Sequence, residues 1–205
     1  KIAGLDWSCT MKFSKDFKEI KGDASFRKFY RNTKKNSIIV FANKEKIKNL
    51  LIYDSINKIL IKNNIIAPQL LSQNYKKNYI EIQDLGKKTI YQIFSNYKKK
   101  KYPIFKKAIN VLNKIQLVKD KKIKNFKNEF YLIKNYKNKI LLDEANLFSH
   151  WYVPKKLDKK KINIFKTKFN REIKLLLSKL HFKNDTFVHR DFHVSNLIVN
   201  SKNQI

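Results

Sequence analysis

His189, Asp191 and Asn196 stand at a spacing that suits phosphoryl transfer, within the segment VHRDFHVSNLIVN from Val188 to Asn200. In that chemistry a carboxylate accepts or orients the proton of an attacking hydroxyl, and a neutral amide oxygen nearby helps to hold Mg²⁺ against the phosphates. Asp191 fits the first role as catalytic base, and Asn196 fits the second as a metal ligand. The step from one to the other is short enough for both side chains to enter a single cleft. A structural reading stands beside this one: Asp191 as a turn cap and His189 as a core histidine bonded to a backbone carbonyl. The apolar run Leu197 to Val199, expected to be a short strand, follows directly.

The pattern H-x-D-x-x-x-x-N resembles the catalytic loop of the protein-kinase-like superfamily. With GDASFRKFYR from Gly22 to Arg31, IEIQDLG from Ile80 to Gly86 and LLDEANLFSHWY from Leu141 to Tyr152, it resembles the aminoglycoside/choline-kinase family. Within that family the likeness is to the branch of anomeric N-acetylmuramate and N-acetylglucosamine kinases. The resemblance implies a two-lobe α+β fold, with a small β-rich nucleotide-binding lobe over residues 1–84 and an incomplete helical lobe over 85–205. It implies ATP and Mg²⁺ as cofactors and a sugar or amino alcohol as acceptor. Asp23, Ala24, Ser25, Phe26 and Arg27 would form the turn over the ATP phosphates, where small residues let backbone N–H groups approach and Arg27 adds charge. Gln83, Asp84 and Leu85 would pair with the adenine edge at an interlobe hinge. Glu144, Trp151 and His193 would face the acceptor, although an aromatic such as Trp151 also suits a helical core.

Two departures from the family pattern follow. The superfamily's ATP lysine should end a V-A-I-K-like run on the third strand. Here the run is Ile39, Val40, Phe41, Ala42, Asn43, with Lys44 a late candidate. The second Mg²⁺ ligand, an Asp, is expected a few residues beyond Ile205, so little or no turnover is expected of these 205 residues alone.

The elements that must position these groups can be read from periodicity. Ser25 to Tyr30 and Ser37 to Phe41 are aromatic or β-branched runs around the polar turn Arg31 to Asn36, which predicts a hairpin. Ile47, Leu50, Leu51, Ile59 and Leu60 recur at helical spacing ahead of Pro68. Gln69 to Ser72 and Asn78 to Gln83 predict a second hairpin. Beyond Gly86, Ala108 to Leu117 predicts a helix, and Ile162, Phe165, Phe169, Ile173, Leu176, Leu177 and Leu180 trace one face of a long helix expected to lie on a core.

Composition narrows the alternatives. The net charge is +31, with 47 Lys and Arg against 16 Asp and Glu. Alone this would suggest nucleic acid or an anionic surface as partner. Nearly all the excess is lysine dispersed among Asn and Ile, whereas a nucleic-acid face concentrates basic groups and favours arginine. No specific nucleic-acid partner is therefore expected, and a basic nucleic-acid binder remains the non-enzymatic alternative. The only arginines are Arg27, Arg31, Arg171 and Arg190, three of them in the segments with chemical promise. A single cysteine, Cys9, excludes an internal disulfide. With no apolar stretch of membrane-spanning length, a cytoplasmic monomer without membrane partners is expected.

Overall fold

The computed structural model describes residues 16–20, 27–96, 101–181 and 186–205. Its largest sheet is antiparallel, built from β1 (Phe17–Ile20), β2 (Arg27–Asn32), β3 (Ser37–Ala42), β4 (Leu70–Asn74) and β5 (Tyr79–Gln83). The strand order is β1-β2-β3-β5-β4. Helix α1 (Lys48–Lys62) links β3 to β4.

The central strand explains the sheet's core. All six residues of β3 are buried, and because side chains alternate across a strand they feed two clusters. Ile38, Val40 and Ala42 pack with Leu50 of α1 and with Ile80 and Ile82 of β5. Ile39 and Phe41 pack with Tyr30 on the opposite face. Each fully buried aliphatic side chain contributes about 1.5–3 kcal/mol, so Val40, Leu50, Ile59 and Ile80, all at 0% exposure, anchor this region.

Asparagine closes the turns. The Asn32 side-chain oxygen accepts from the backbone N–H groups of Lys34 (3.0 Å) and Lys35 (3.1 Å), which shapes the β2–β3 reversal. Asn74 accepts from Lys77 N–H at 3.1 Å, and Asn78 takes the left-handed conformation before β5 begins. At the end of α1, the Asn63 amide bonds the Ile59 carbonyl at 2.9 Å and Asp120 at 2.7 Å.

Both expected hairpins and the intervening helix are present, and the α+β class holds. Three features were not anticipated. Strand β1 adds a fifth strand at the sheet's edge. A small hairpin, β7 (Lys122–Lys124) with β8 (Phe130–Leu132), follows the helices α2 (Ile90–Asn96) and α3 (Tyr102–Gln116). The two-residue strand β6 (Lys88–Thr89) pairs with β9 (Ile198–Val199), so the strand expected after Asn196 finds its partner far back in the sequence.

The chain forms two compact units. One takes in the sheet and continues to Ile133, together with His189–Ile205; the other spans Lys134–Val188. The expected lobes were 1–84 and 85–205; in this grouping residues 85–133 and the loop bearing Asp191 fall with the sheet. The second unit holds α4 (Asn138–Leu147), a π turn at Phe148–Tyr152, a 3₁₀ turn at Val153–Lys155 and α5 (Lys159–Ser178).

Helix α5 starts at a side-chain cap, Asp158 accepting from Lys161 N–H at 2.9 Å. Its apolar face was expected to lie on a core, yet none of its residues is fully buried. Phe165 and Phe169 stack on each other at 5.6 Å and meet Phe148 of the π turn at 6.2 and 5.7 Å. The aromatic rings cover one another and leave Leu175, Leu176 and Leu180 exposed.

Among the described residues, no helix is long and apolar enough to cross a membrane.

Candidate active site

The loop from His189 to Asn196 is built by its own side chains and by the start of α2. Arg190 sits at φ 68°, a left-handed conformation that costs a bulky L-residue about 1–2 kcal/mol, and so reverses the chain just before Asp191. Asn196 N–H then bonds the His193 carbonyl at 2.9 Å. Across this turn the Asn196 amide nitrogen donates to the Asp191 carboxylate at 2.6 Å and to the Asp191 carbonyl at 3.1 Å. The two residues singled out by spacing therefore meet directly. Because the amide nitrogen is committed to Asp191, planarity turns the Asn196 side-chain oxygen away from it.

His193 joins the pair. Ser195 N–H donates to its Nδ1 at 3.3 Å, which places the ring proton on Nε2. Nε2 lies 3.1 Å from the other Asp191 oxygen and can donate its proton to it. The equal approach of the Asn196 amide nitrogen to Nε2 is then a contact between two donors. Asp191 keeps 70% of its side-chain surface open, so these bonds orient the carboxylate without enclosing it.

His189 has a different setting. Its Nδ1 is buried with no hydrogen-bond partner among the described residues, and its ring meets the edge of Phe192 at 5.6 Å. Desolvation by burial lowers its pKa below the ordinary imidazole value, against the opposing pull of the Asp191 carboxylate. The neutral ring is thus the favoured form, which argues for packing over proton transfer. The anticipated bond from its ring to a backbone carbonyl is missing at Nδ1.

The remaining expected site residues are spread over the two units. Asp23, Ala24, Ser25 and Phe26 lie outside the described residues. Arg27 opens β2, with its guanidinium 4.9 Å from the centre of the Tyr53 ring. Gln83 ends β5, and its N–H is taken by the Gln69 carbonyl at 2.9 Å. Asp84 N–H bonds the Asn36 carbonyl at 3.2 Å. The Asp84 carboxylate is held by Arg31, Nε to Oδ2 at 2.5 Å and Nη2 to Oδ1 at 3.2 Å, so any ligand contact from Asp84 must use its backbone carbonyl. Leu85 follows, half-buried. In the other unit, Glu144 accepts from the Tyr136 hydroxyl, and Trp151 projects from the π turn at 72% exposure.

Sequence reasoning overlooked the contacts that brace the loop. Thr89 and Gln92 form a capping box at the start of α2, Thr89 N–H to Gln92 Oε1 at 3.0 Å and Gln92 N–H to Thr89 Oγ1 at 3.1 Å. Its T-x-x-Q spacing is a recognised helix-start signal. From this capped end, Ile90 N–H bonds the Leu197 carbonyl at 2.9 Å and Tyr91 N–H bonds the Val194 carbonyl at 3.1 Å.

The donor set is too sparse for a metal cage made wholly of protein. No group of three or more His, Cys, Asp or Glu side chains able to hold a metal occurs among the described residues. Mg²⁺ does not require one, because it is commonly bound through one or two protein oxygens with substrate phosphates and water completing the shell. The Asn196 oxygen, a hard donor beside an exposed carboxylate, fits that mode. No protein-family model and no curated protein matches the chain.

Proposed function

We propose that the protein is an ATP-dependent small-molecule kinase of protein-kinase-like two-lobe architecture, transferring the γ-phosphoryl group to a hydroxyl of a sugar. The 2.6 Å contact between Asp191 and Asn196 carries this reading, because it joins a proton acceptor and a hard oxygen ligand on one exposed loop. Asp191 orients the acceptor hydroxyl and takes its proton as the oxygen–phosphorus bond forms and the bond to ADP breaks. His193, through its Nε2 proton, steers the Asp191 oxygen that does not face Asn196. Asn196 holds Mg²⁺, which when bound neutralises phosphate charge. The segment Asp23 to Arg27 and the backbone of Gln83 to Leu85 are assigned to the nucleotide.

The test is phosphoryl transfer by the full-length protein with ATP, Mg²⁺ and a panel of N-acetylated amino sugars, amino alcohols and aminoglycosides. Transfer to the amino sugars is expected, falling roughly 10²–10⁴-fold in Asp191→Asn if the carboxylate acts as base. Full activity of that variant would remove Asp191 from the mechanism. Transfer only to the cationic acceptors would replace the sugar with an amino alcohol or aminoglycoside.

A further inference from the structure

We infer that Arg31 is a positioning residue for the Asp191–Asn196 loop, acting through Asp84 and Gly86; its bearing on catalysis rests on the function proposed above. Arg31 stands on β2, in the sheet, and is 53 positions away from Asp84 in sequence. Its guanidinium grips the Asp84 carboxylate with two nitrogens and also donates to the Gly86 carbonyl at 2.7 Å. Asp84 closes the ring by accepting from Gly86 N–H at 2.9 Å. The turn that leaves the sheet is therefore fixed by one side chain at three points.

Gly86 is where this grip is passed on. Its φ of +133° is a conformation that side chains rarely adopt, and its α-carbon lies against β9, where an added Cβ would stand 3.6 Å from both the Ile198 side chain and the Val199 carbonyl. Two residues later β6 pairs with β9, Lys88 opposite Val199 and Thr89 opposite Ile198. The capped start of α2 then bonds the carbonyls of Leu197 and Val194. Val194 lies inside the loop and Leu197 directly follows Asn196. A path of hydrogen bonds, joined by the short backbone step from Gly86 to Lys88, thus runs from Arg31 to the turn that sets the Asp191–Asn196 contact.

Only arginine provides this geometry. Its planar fork meets both carboxylate oxygens and the Gly86 carbonyl together, whereas lysine offers one compact charge. In a chain whose cations are nearly all lysine, arginine at position 31 matches the need for a fork.

The test is hydrogen exchange on the 205-residue chain, comparing Arg31→Lys with wild type and with Lys34→Met, which breaks only the exposed Lys34–Asp16 pair. Exchange at the amides of Ile90, Tyr91 and Asn196 is expected to rise about tenfold or more in Arg31→Lys, with Val40 unchanged and Lys34→Met like wild type. Gly86→Ala, which strains the same turn without unpairing a charge, should give the same pattern and serves if Arg31→Lys fails to fold. In the full-length protein, kcat should fall roughly tenfold to a hundredfold, and KM for ATP should rise as well, because Arg31 also holds the Asp84 segment assigned to the nucleotide. Unchanged exchange at Tyr91 and Asn196, or an equal rise at Val40, would overturn the inference. The expected exchange pattern together with no transfer by wild type would overturn the proposed function and leave the mechanical coupling standing.

Discussion

In the sheet, Val40 and Ile80 are wholly enclosed, while in the helical unit α5 has no fully buried residue and Trp151 is largely exposed. Both regions are rich in apolar side chains. They differ in partners: β3 lies between two strands with a helix over one face, whereas the phenylalanines of α5 cover chiefly one another and Phe148 of the π turn. Apolar periodicity identifies a helix face, but the stabilisation depends on what encloses that face. The sheet unit should therefore carry most of the stability, and several perturbations can break or sharpen this contrast.

The largest effect is expected from Arg31→Met. Asp84, whose side chain is 6% exposed, would be left charged and unpaired at a cost of about 3–5 kcal/mol, read from urea unfolding. A loss under about 1 kcal/mol would place the pair among weak surface bridges. Ile80→Ala should come next, at about 2–5 kcal/mol for a cavity in the packed core. In the helical unit, Leu176→Ala at 58% exposure should change stability by no more than about 0.5 kcal/mol. Equal losses at Ile80 and Leu176 would erase the distinction between the units.

The smallest effect concerns pH. His189 has a folded-state pKa below the ordinary value of 6.5, with burial as the main cause. Between the depressed folded value and 6.5 the unfolded chain binds more protons, so the His189 contribution is present above 6.5 and is lost as pH falls through that window. Stability curves measured against pH should show this decline in wild type and a shallower one in His189→Gln. Identical slopes would mean that the ring is not buried neutral.

The β2–β3 hairpin was legible because aromatic and β-branched runs and a polar turn occur within sixteen contiguous residues, Arg27 to Ala42. Strand β1 was not, because only Phe17 and Ile20 of its four residues are apolar and the exposed Lys18 and Glu19 between them give no alternation. Strand β7, with Ile123 between two lysines, is too short to carry a period. The Asp191–Asn196 pair was readable because a five-residue step is local geometry. The Arg31–Asp84 clamp was not, since its members meet only after β2, β3 and β5 have paired. Strand β9 was expected at the right place, but nothing local to it indicates Lys88 and Thr89 as its partners.

Among the described residues, the non-glycine positions with left-handed backbone are Asn64, Asn78, Asn128, Asn203 and Arg190. Four of the five are asparagine in a chain with only three glycines, and asparagine tolerates this conformation because its short amide can bond the local backbone. Substitution by lysine, the commonest cation here, should therefore be tolerated unevenly along the chain. Open faces can absorb it, while at these four corners lysine would bear the left-handed strain that asparagine relieves.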